Sequence, residues 1–343
     1  MMDGSEHRRV LKMLEEGKIT AVEADKLLKA LGSESETRAT GPSVQTESAD
    51  LSGLVEGALS SLKSAGLFGW GSAHSFEREL TGTFSPEAVE AQGGVDLRGA
   101  ARNGRIPPPP RDSEEYRVVI RTKVRGGDRE QAREVAERFC QVEQGDAVLA
   151  VDGRATAMPN SSVALDIFLP EKYRYNVDLL TSNGRIEVDH LKCSKVVAET
   201  SNGRVACEKI EAEDVELETS NGRIEVGGVS GSVRAHTSNG RIRLAPARVE
   251  TNSEYDMVTS NGKILLEYDP GREVGMDFEA RTSNGKIKVG WDDVEYEIDN
   301  VRGKRRTHVK GKTAGFDSKP VKLLVNLKTS NGAISIGGAD PAR

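Results

Sequence analysis

The decapeptide LETSNGRIEV, Leu217 to Val226, contains the tetrapeptide that decides the fold. Thr-Ser-Asn-Gly occurs seven times, with copies that begin at Thr181, Thr200, Thr219, Thr237, Thr259, Thr282 and Thr329. Six copies follow one another at intervals of 18 to 23 residues, and the last interval is 47 residues. Arg302-Gly-Lys304 lies within that interval and is interpreted as a degenerate copy. Periods of this size predict a solenoid, a propeller or another array, here with about eight coils.

Apolar and polar residues alternate on both sides of each repeat threonine. Val215 and Leu217 precede Thr219 by four and two residues, and Ile224 and Val226 follow it by five and seven. This period of two predicts a short strand on each side of one turn. Cys207 falls in one of the apolar columns, so we interpret it as a core residue rather than a nucleophile.

The turn itself permits two folds. Asn-Gly is a strong signal for an antiparallel hairpin, because both residues tolerate positive φ. In an antiparallel meander, however, turns on one edge lie about 9 to 10 Å apart and do not touch. In a parallel solenoid each turn lies on the previous one at about 4.8 Å, so that Ser, Thr and Asn side chains can form hydrogen-bonded ladders. Identity of the whole tetrapeptide therefore favours a mainly β, parallel β-solenoid.

Fourteen residues are assigned to these structural turns, and each glycine is expected to have positive φ. They are Asn183, Gly184, Asn202, Gly203, Asn221, Gly222, Asn239, Gly240, Asn261, Gly262, Asn284, Gly285, Asn331 and Gly332.

Residues 76–176 look like a degenerate beginning of the same β-structure. Asn103-Gly-Arg-Ile106 and Asp152-Gly-Arg154 resemble the repeat turn. Between them, Asp128 is a candidate cap for a helix whose apolar face is Ala132, Val135, Ala136 and Phe139. Such a helix could cover the open N-terminal edge of a solenoid, whereas the C-terminal ISIGGADPAR brings no obvious cap.

The first 75 residues predict two further segments. Residues 5–32 read as a small helical hairpin, in which Thr20 and Glu23 form a capping box and Gly17 suits the end of the first helix. Residues 33–75 are a linker that contains an amphipathic helix. The predicted domains are therefore 5–32, 33–75 and 76–338.

The amphipathic segment at residues 50–71 has two interpretations. Its apolar stripe includes Leu51, Leu54, Val55, Leu59, Leu62, Phe68 and Trp70. The stripe could lie in the headgroup region of a membrane. It could equally belong to an ordinary helix that caps the solenoid or packs against a protein.

A basic residue follows the repeat glycine in six of the seven copies. These residues are Arg185, Arg204, Arg223, Arg241, Lys263 and Lys286, and Ala333 interrupts the series. Stacked about 4.8 Å apart, they form a candidate anion-binding stripe for lipid headgroups or an anionic polymer. The alternative is a solvated row that protects the edge and is partly neutralised by nearby acids.

Composition and motifs give little support to catalysis or metal binding. The formal net charge is −6, so nucleic acid is not an expected partner. The three cysteines and five histidines show no disulfide or zinc spacing, and no cofactor motif occurs. We expect no catalytic residues, no metal and no cofactor. Neither a secretory signal nor a spanning segment is visible, so the expected location is the cytoplasm, with or without peripheral attachment to the membrane or envelope.

The TSNGRIEV repeats resemble the bacterial putative-adhesin family, a β-solenoid domain of unknown function, over roughly residues 76–338. The segment VLKMLEEGKITAVEADKLLKAL, with Gly17, Ile19, Thr20 and Glu23, is similar to the SHOCT-like helical domain of YvlB/LiaX-type proteins of envelope stress. The resemblance implies a non-enzymatic interaction protein that self-associates or binds a protein through the hairpin. The alternative is a peripheral membrane protein that uses residues 50–71 and the basic stripe; a glycan-acting enzyme is the third possibility.

Overall fold

The computed structural model describes residues 73–108, 113–138, 140–153, 161–302 and 305–337, and these are mainly β. The hairpin predicted at 5–32 and the amphipathic segment predicted at 50–71 lie outside the described residues. None of the described helices is long and apolar enough to cross a membrane.

The described residues form 21 strands, two α-helices and one 3-10 turn. The helices are α1 (Pro86–Gln92) and α2 (Arg129–Arg138), and the 3-10 turn is Phe316–Ser318. The strands are β1 (Ala73–Gly82), β2 (Val95–Ala100), β3 (Asn103–Ile106), β4 (Tyr116–Arg125), β5 (Gln141–Gln144), β6 (Val148–Asp152), β7 (Ser162–Phe168), β8 (Tyr175–Thr181), β9 (Ile186–Thr200), β10 (Val205–Thr219), β11 (Ile224–Gly227), β12 (Ser230–Thr237), β13 (Ile242–Ala245), β14 (Ser253–Thr259), β15 (Ile264–Glu267), β16 (Val274–Thr282), β17 (Ile287–Val289), β18 (Val294–Arg302), β19 (Arg305–Thr313), β20 (Val321–Thr329) and β21 (Ile334–Gly337).

The strands make two faces joined by the repeat turns. We call the face whose repeat strands end at the repeat threonines the pre-turn face. Its strand order is β5, β6, β2, β8, β9, β10, β12, β14, β20, β16, β19, β18. The post-turn face has the order β1, β4, β7, β3, β9, β10, β11, β13, β15, β21, β17. The long strands β9 and β10 belong to both faces, because each bends from one into the other.

Successive repeats pair in parallel and in register, which confirms the solenoid and excludes the meander for these coils. Val215 of β10 is aligned with Val233 of β12, and Ile224 of β11 with Ile242 of β13. Antiparallel pairing among the described strands is confined to the pairs β1–β4, β4–β7 and β5–β6 at one end and β16–β19 and β18–β19 at the other.

The alternating apolar columns fill the space between the two faces, as predicted. Val215, Leu217, Ile224 and Val226 are all buried, and so are their counterparts in the other coils apart from Val289, which is partly buried. Cys207 is fully buried in its valine column, and burial raises the pKa of its thiol to about 12. The interpretation of Cys207 as a core residue is therefore confirmed.

The repeat glycine is required by close stacking of the turns. A Cβ atom at Gly222 would lie 1.7 Å from the carbonyl oxygen of Gly203 in the coil below, and the other repeat glycines are equally confined. None of the seven is among the residues with positive φ. The expectation that these glycines are selected by a left-handed backbone was therefore wrong, and the reason is the absence of room for any side chain.

The coils do not stack in chain order at the C-terminal end. The coil of β20 and β21 lies between the coil of β14 and β15 and the coil of β16 and β17. Strands β18 and β19 form an antiparallel pair that covers β16 on the pre-turn face. Arg302 ends β18 in this antiparallel pair. The expectation of a degenerate eighth repeat at 302–304 was therefore wrong. The first four residues of ISIGGADPAR form β21, which is paired on both sides and so does not lie at the edge of the stack.

The inserted coil separates like charges that sequential stacking would bring together. Asn326 lies between Asp256 and Glu279 on the pre-turn face, and its side-chain amide donates to Asp256 at 2.8 Å. At the turns, Ala333 lies between Lys263 and Lys286, because Ile334 is aligned with both Ile264 and Ile287. Like charges directly opposite each other destabilise a sheet, so these two neutral residues favour the inserted order, whereas the alignment of Lys328 with Arg281 in the same coil opposes it.

The N-terminal end contains a second out-of-order coil. Strands β2 and β3 lie between β6 and β7 on one side and β8 and β9 on the other. Asn103-Gly104 does belong to a coil, as predicted, but Arg102 takes the place of the repeat glycine and its carbonyl accepts the Thr181 hydroxyl at 2.5 Å. Gly153 follows β6 in the outer coil, and Arg154 lies outside the described residues.

The predicted helix after Asp128 is present as α2. The Asp128 carboxylate accepts from the backbone N–H groups of Glu130 and Gln131 at 2.9 Å, which confirms the cap. Ala132 is buried, and the helix contacts β1 and β4, the two strands at the N-terminal end of the post-turn face. It packs on that end of the stack, as the sequence suggested.

Gly222→Ala should destabilise the protein by about 3 kcal/mol, because the added methyl overlaps the Gly203 carbonyl and forces two layers apart. Urea unfolding followed by circular dichroism measures the loss. The control is Gly104→Ala, where a Cβ meets nothing within 4 Å and the expected change is below about 1 kcal/mol. Equal stabilities of the two variants would contradict the stacking account.

Two buried tyrosines should respond differently to loss of the hydroxyl. Tyr175 donates to the Pro170 carbonyl at 2.7 Å, so Tyr175→Phe leaves a buried acceptor unpaired and should cost about 1 to 3 kcal/mol. The Tyr255 hydroxyl has no hydrogen-bond partner among the described residues, so Tyr255→Phe should be neutral or stabilising. Thermal unfolding of both variants checks the pair, and a larger loss for Tyr255→Phe would contradict the expectation.

Candidate functional site

The seven repeat turns form one continuous edge, which we call the TSNG edge. Each repeat threonine is buried, and its hydroxyl donates to the carbonyl of the residue at the glycine position one layer below, for example Thr219 to Gly203 at 3.2 Å. The backbone N–H of each asparagine from Asn202 onward donates to a serine carbonyl of the adjacent layer, as Asn221 does to Ser201 at 2.8 Å. The turn is therefore bonded to its neighbour at two levels.

The asparagine side chains form a separate ladder on the solvent side of the turns. In the spatial order 183, 202, 221, 239, 261, 331, 284, each amide nitrogen from Asn202 onward donates to the amide oxygen of the preceding asparagine at 2.8 Å. The predicted ladders are thus confirmed for threonine and asparagine side chains. The serines contribute their backbone carbonyls to the edge.

The six predicted cations lie side by side along the TSNG edge, with Arg204 half-buried and the others exposed. Their spatial order follows the coils, so Ala333 lies inside the row between Lys263 and Lys286. At the N-terminal end the row stops at Asn103, whose amide oxygen accepts from the Arg185 backbone N–H at 3.0 Å. The structure therefore brings the predicted stripe together.

The first half of the stripe is neutralised by glutamates on the post-turn face. Arg185 contacts Glu187 at 3.1 Å, and Arg223 contacts Glu225 at 3.6 Å. Arg204 also pairs with Glu225. These three arginines agree with the alternative interpretation of a solvated row balanced by acids.

The second half has no such partners. Within the described ranges, Arg241, Lys263 and Lys286 make no ion pair within 4.0 Å. The sequence left open an anion-binding stripe and a row partly neutralised by nearby acids, and the structure divides the row into a paired half and an unpaired half.

A shallow cleft lies at the opposite corner of the coils. It has a volume of about 310 Å³ and is lined by charged residues that include His190, Lys192, Lys209 and Glu211. His190 and Lys209 both have φ of 52°, an uncommon left-handed conformation for residues other than glycine, and Gly228 follows them with φ of 61°. Sequence reasoning missed this corner, because no residue type there signals a left-handed bend.

The buried titratable groups in the described part of the chain belong to the core. Burial raises the pKa of the Cys193 thiol to about 12 and that of the Cys140 thiol to about 11, so both are protonated near neutral pH. Among the described residues there is no group of three or more His, Cys, Asp or Glu side chains that could hold a metal ion. The arrangement can present hydrogen-bonding and charged groups along an edge.

Two predicted segments lie outside the described residues. They are the hairpin at 5–32 and the apolar stripe formed by Leu51, Leu54, Val55, Leu59, Leu62, Phe68 and Trp70. Both remain predictions from the sequence.

Comparison with solved structures finds bacterial proteins of low sequence identity. One, titled a putative cell adhesion protein, is from Clostridium sporogenes; it is 14% identical, the alignment covers 77% of this chain and 100% of that one, and the TM-score is 0.33. Another, titled a putative adhesin, is from Bacteroides fragilis; it is 13% identical over 77% of this chain and 97% of that one, with a TM-score of 0.38. No curated protein matches the chain.

Two protein families match parts of the sequence. Residues 173–336 match the family described as Toastrack DUF4097, and these residues include all seven repeats. The parallel coils extend upstream of that match, to β2 and β6. Residues 6–36 match the family described as a SHOCT-like domain. The chain therefore contains a toastrack domain of the DUF4097 family, preceded in sequence by a SHOCT-like domain.

Proposed function

We propose that this protein is a non-enzymatic interaction scaffold of the bacterial cell envelope. In this proposal the toastrack domain is a rigid support, and the SHOCT-like segment assembles copies of the chain. The observation that carries the proposal is the uninterrupted hydrogen bonding of the TSNG edge, in which every repeat turn is bonded to the next.

Rigidity of the support follows from this bonding. Each layer is held by a threonine hydroxyl, an asparagine amide and parallel backbone pairing. In a stacked repeat fold each coil depends on its neighbours for burial, so the stack behaves as one unit. Side chains that point outward can vary without disturbing these bonds, which suits a surface that binds other molecules.

The role of the SHOCT-like segment is argued from its sequence. About 28 residues bury too little apolar surface to be securely stable alone, so the predicted hairpin gains most by packing against another copy or a partner. Its leucines at 11, 14, 27, 28 and 31 would supply that surface. The link to envelope stress rests on the resemblance of this segment to YvlB/LiaX-type proteins.

Light scattering coupled to size-exclusion chromatography tests the assembly role on the full chain. We expect the wild-type protein to be an oligomer, with a mass of two or more times the 37.0 kDa of one chain. The double variant Leu14→Asp with Leu28→Asp should have the monomer mass, because it places charges among the apolar residues of the predicted hairpin.

The matched control is Lys12→Asp with Lys29→Asp, which introduces two carboxylates at polar positions of the same segment. The control should keep the wild-type mass. A monomeric wild-type protein at high concentration, or an unchanged mass in the leucine variant, would refute assembly through this segment.

A further inference from the structure

The three unpaired cations of the TSNG edge and two lysines beside them form a group of five exposed cations. We call them the cationic ridge, and they are Arg241, Lys263, Lys286, Lys288 and Lys328. They belong to four successive layers of the stack, which together span about 14 Å at 4.8 Å per step. In the described part of the chain, none of the five makes an ion pair within 4.0 Å.

The inserted coil assembles the ridge. Lys328 comes from β20 and is aligned with Val258 on one side and Arg281 on the other. Lys288 comes from β17 and is aligned with Ser335 of β21. These two lysines flank the row of Lys263 and Lys286 on the pre-turn and post-turn faces. Lys328 is 65 residues from Lys263 in sequence, and the out-of-order stacking places their layers next to each other.

The same positions in the earlier coils are balanced by acids. Glu199 and Glu218 occupy the pre-turn column in which Lys328 stands, and Glu187 and Glu225 occupy the post-turn column in which Lys288 stands. In the four ridge layers these columns hold no acidic residue. These two columns therefore contain glutamates in the first half of the edge and only basic or neutral residues in the second half.

Two arginines next to the ridge do have acidic partners. Arg243 is held by Glu267 at 3.0 Å, and Arg281 is held by Glu279 at 2.7 Å. The ridge cations do not have such partners, and their mutual repulsion is unrelieved within the described residues. Stacked like charges destabilise a sheet, whereas an anionic partner would remove that repulsion.

The shape and chemistry of the ridge favour a surface over a discrete anion. The ridge lies on the turns, and the clefts of about 310 and 620 Å³ beside Lys209 lie at the opposite corner of the coils. Four of the five cations are lysines, which act as flexible point charges rather than as bidentate forks. Clusters of such cations are attracted to anionic lipid headgroups.

We propose that the cationic ridge docks the toastrack domain on an anionic lipid surface. This inference goes beyond the scaffold function and does not depend on self-association.

Vesicle flotation of the full chain tests the proposal. The probes are vesicles of phosphatidylcholine alone and vesicles that also contain phosphatidylglycerol, at low and high salt. Each cation near an anionic surface increases partitioning about five-fold. The triple variant Lys263→Gln, Lys286→Gln and Lys288→Gln should therefore bind the anionic vesicles about 100-fold more weakly. Wild-type binding should also fall at high salt.

The control variant removes the same charge elsewhere on the domain, by Lys123→Gln, Arg125→Gln and Lys192→Gln. These three residues are exposed and lie outside the four ridge layers, Lys123 and Arg125 on β4 at the N-terminal end of the stack and Lys192 on β9. The control should keep binding to within a few-fold, and thermal unfolding should show both variants to be folded. Equal losses in the two variants would overturn the proposal, as would a wild-type protein that does not prefer anionic vesicles. Binding of soluble polyphosphate without binding of vesicles would also overturn it, by making a polymer the partner.

Discussion

The structure depends on how closely one turn lies on the next. A threonine hydroxyl donates to the carbonyl beneath it, and that carbonyl approaches the α-carbon of the glycine above so closely that no side chain fits. This contact brings the coils to β-sheet spacing at their sharpest bend. The asparagine ladder and the parallel pairing of both faces then follow from the same spacing.

Because the turn is fixed by uncharged groups, the charged side chains beside it are free to differ from layer to layer. The residues beside the turn differ between the two halves of the edge. Around Arg185, Arg204 and Arg223 the protein places glutamates that balance the row. Around Lys263 and Lys286 it places no acid, and it inserts Ala333 between the two lysines. The same architecture thus supports a neutral edge and a cationic edge without any change in the turn.

The sequence predicted the fold through local signals that repeat. The period of two around each threonine identified the core columns, and identity of the tetrapeptide distinguished a parallel stack from a meander. Sequence spacing could not predict the order of the coils, because Asn331 can bond equally well above Asn261 or above Asn284. It also misassigned Arg302 to Lys304, since an antiparallel pair and a degenerate coil both show alternation. The cationic ridge was only partly predictable, because Lys328 reaches it through the inserted coil.

The out-of-order coil has a consequence for folding during synthesis. Residues 274–302 are made before residues 321–337, yet they stack outside them. Until β20 and β21 exist, the coil of β16 and β17 can occupy their place on β14 and β15, with a ladder of the same kind. That premature stack would place Glu279 against Asp256 and Lys286 against Lys263, two like-charge contacts that destabilise it. Asn326 and Ala333, both made after residue 302, are therefore the residues that separate these like charges in the native order.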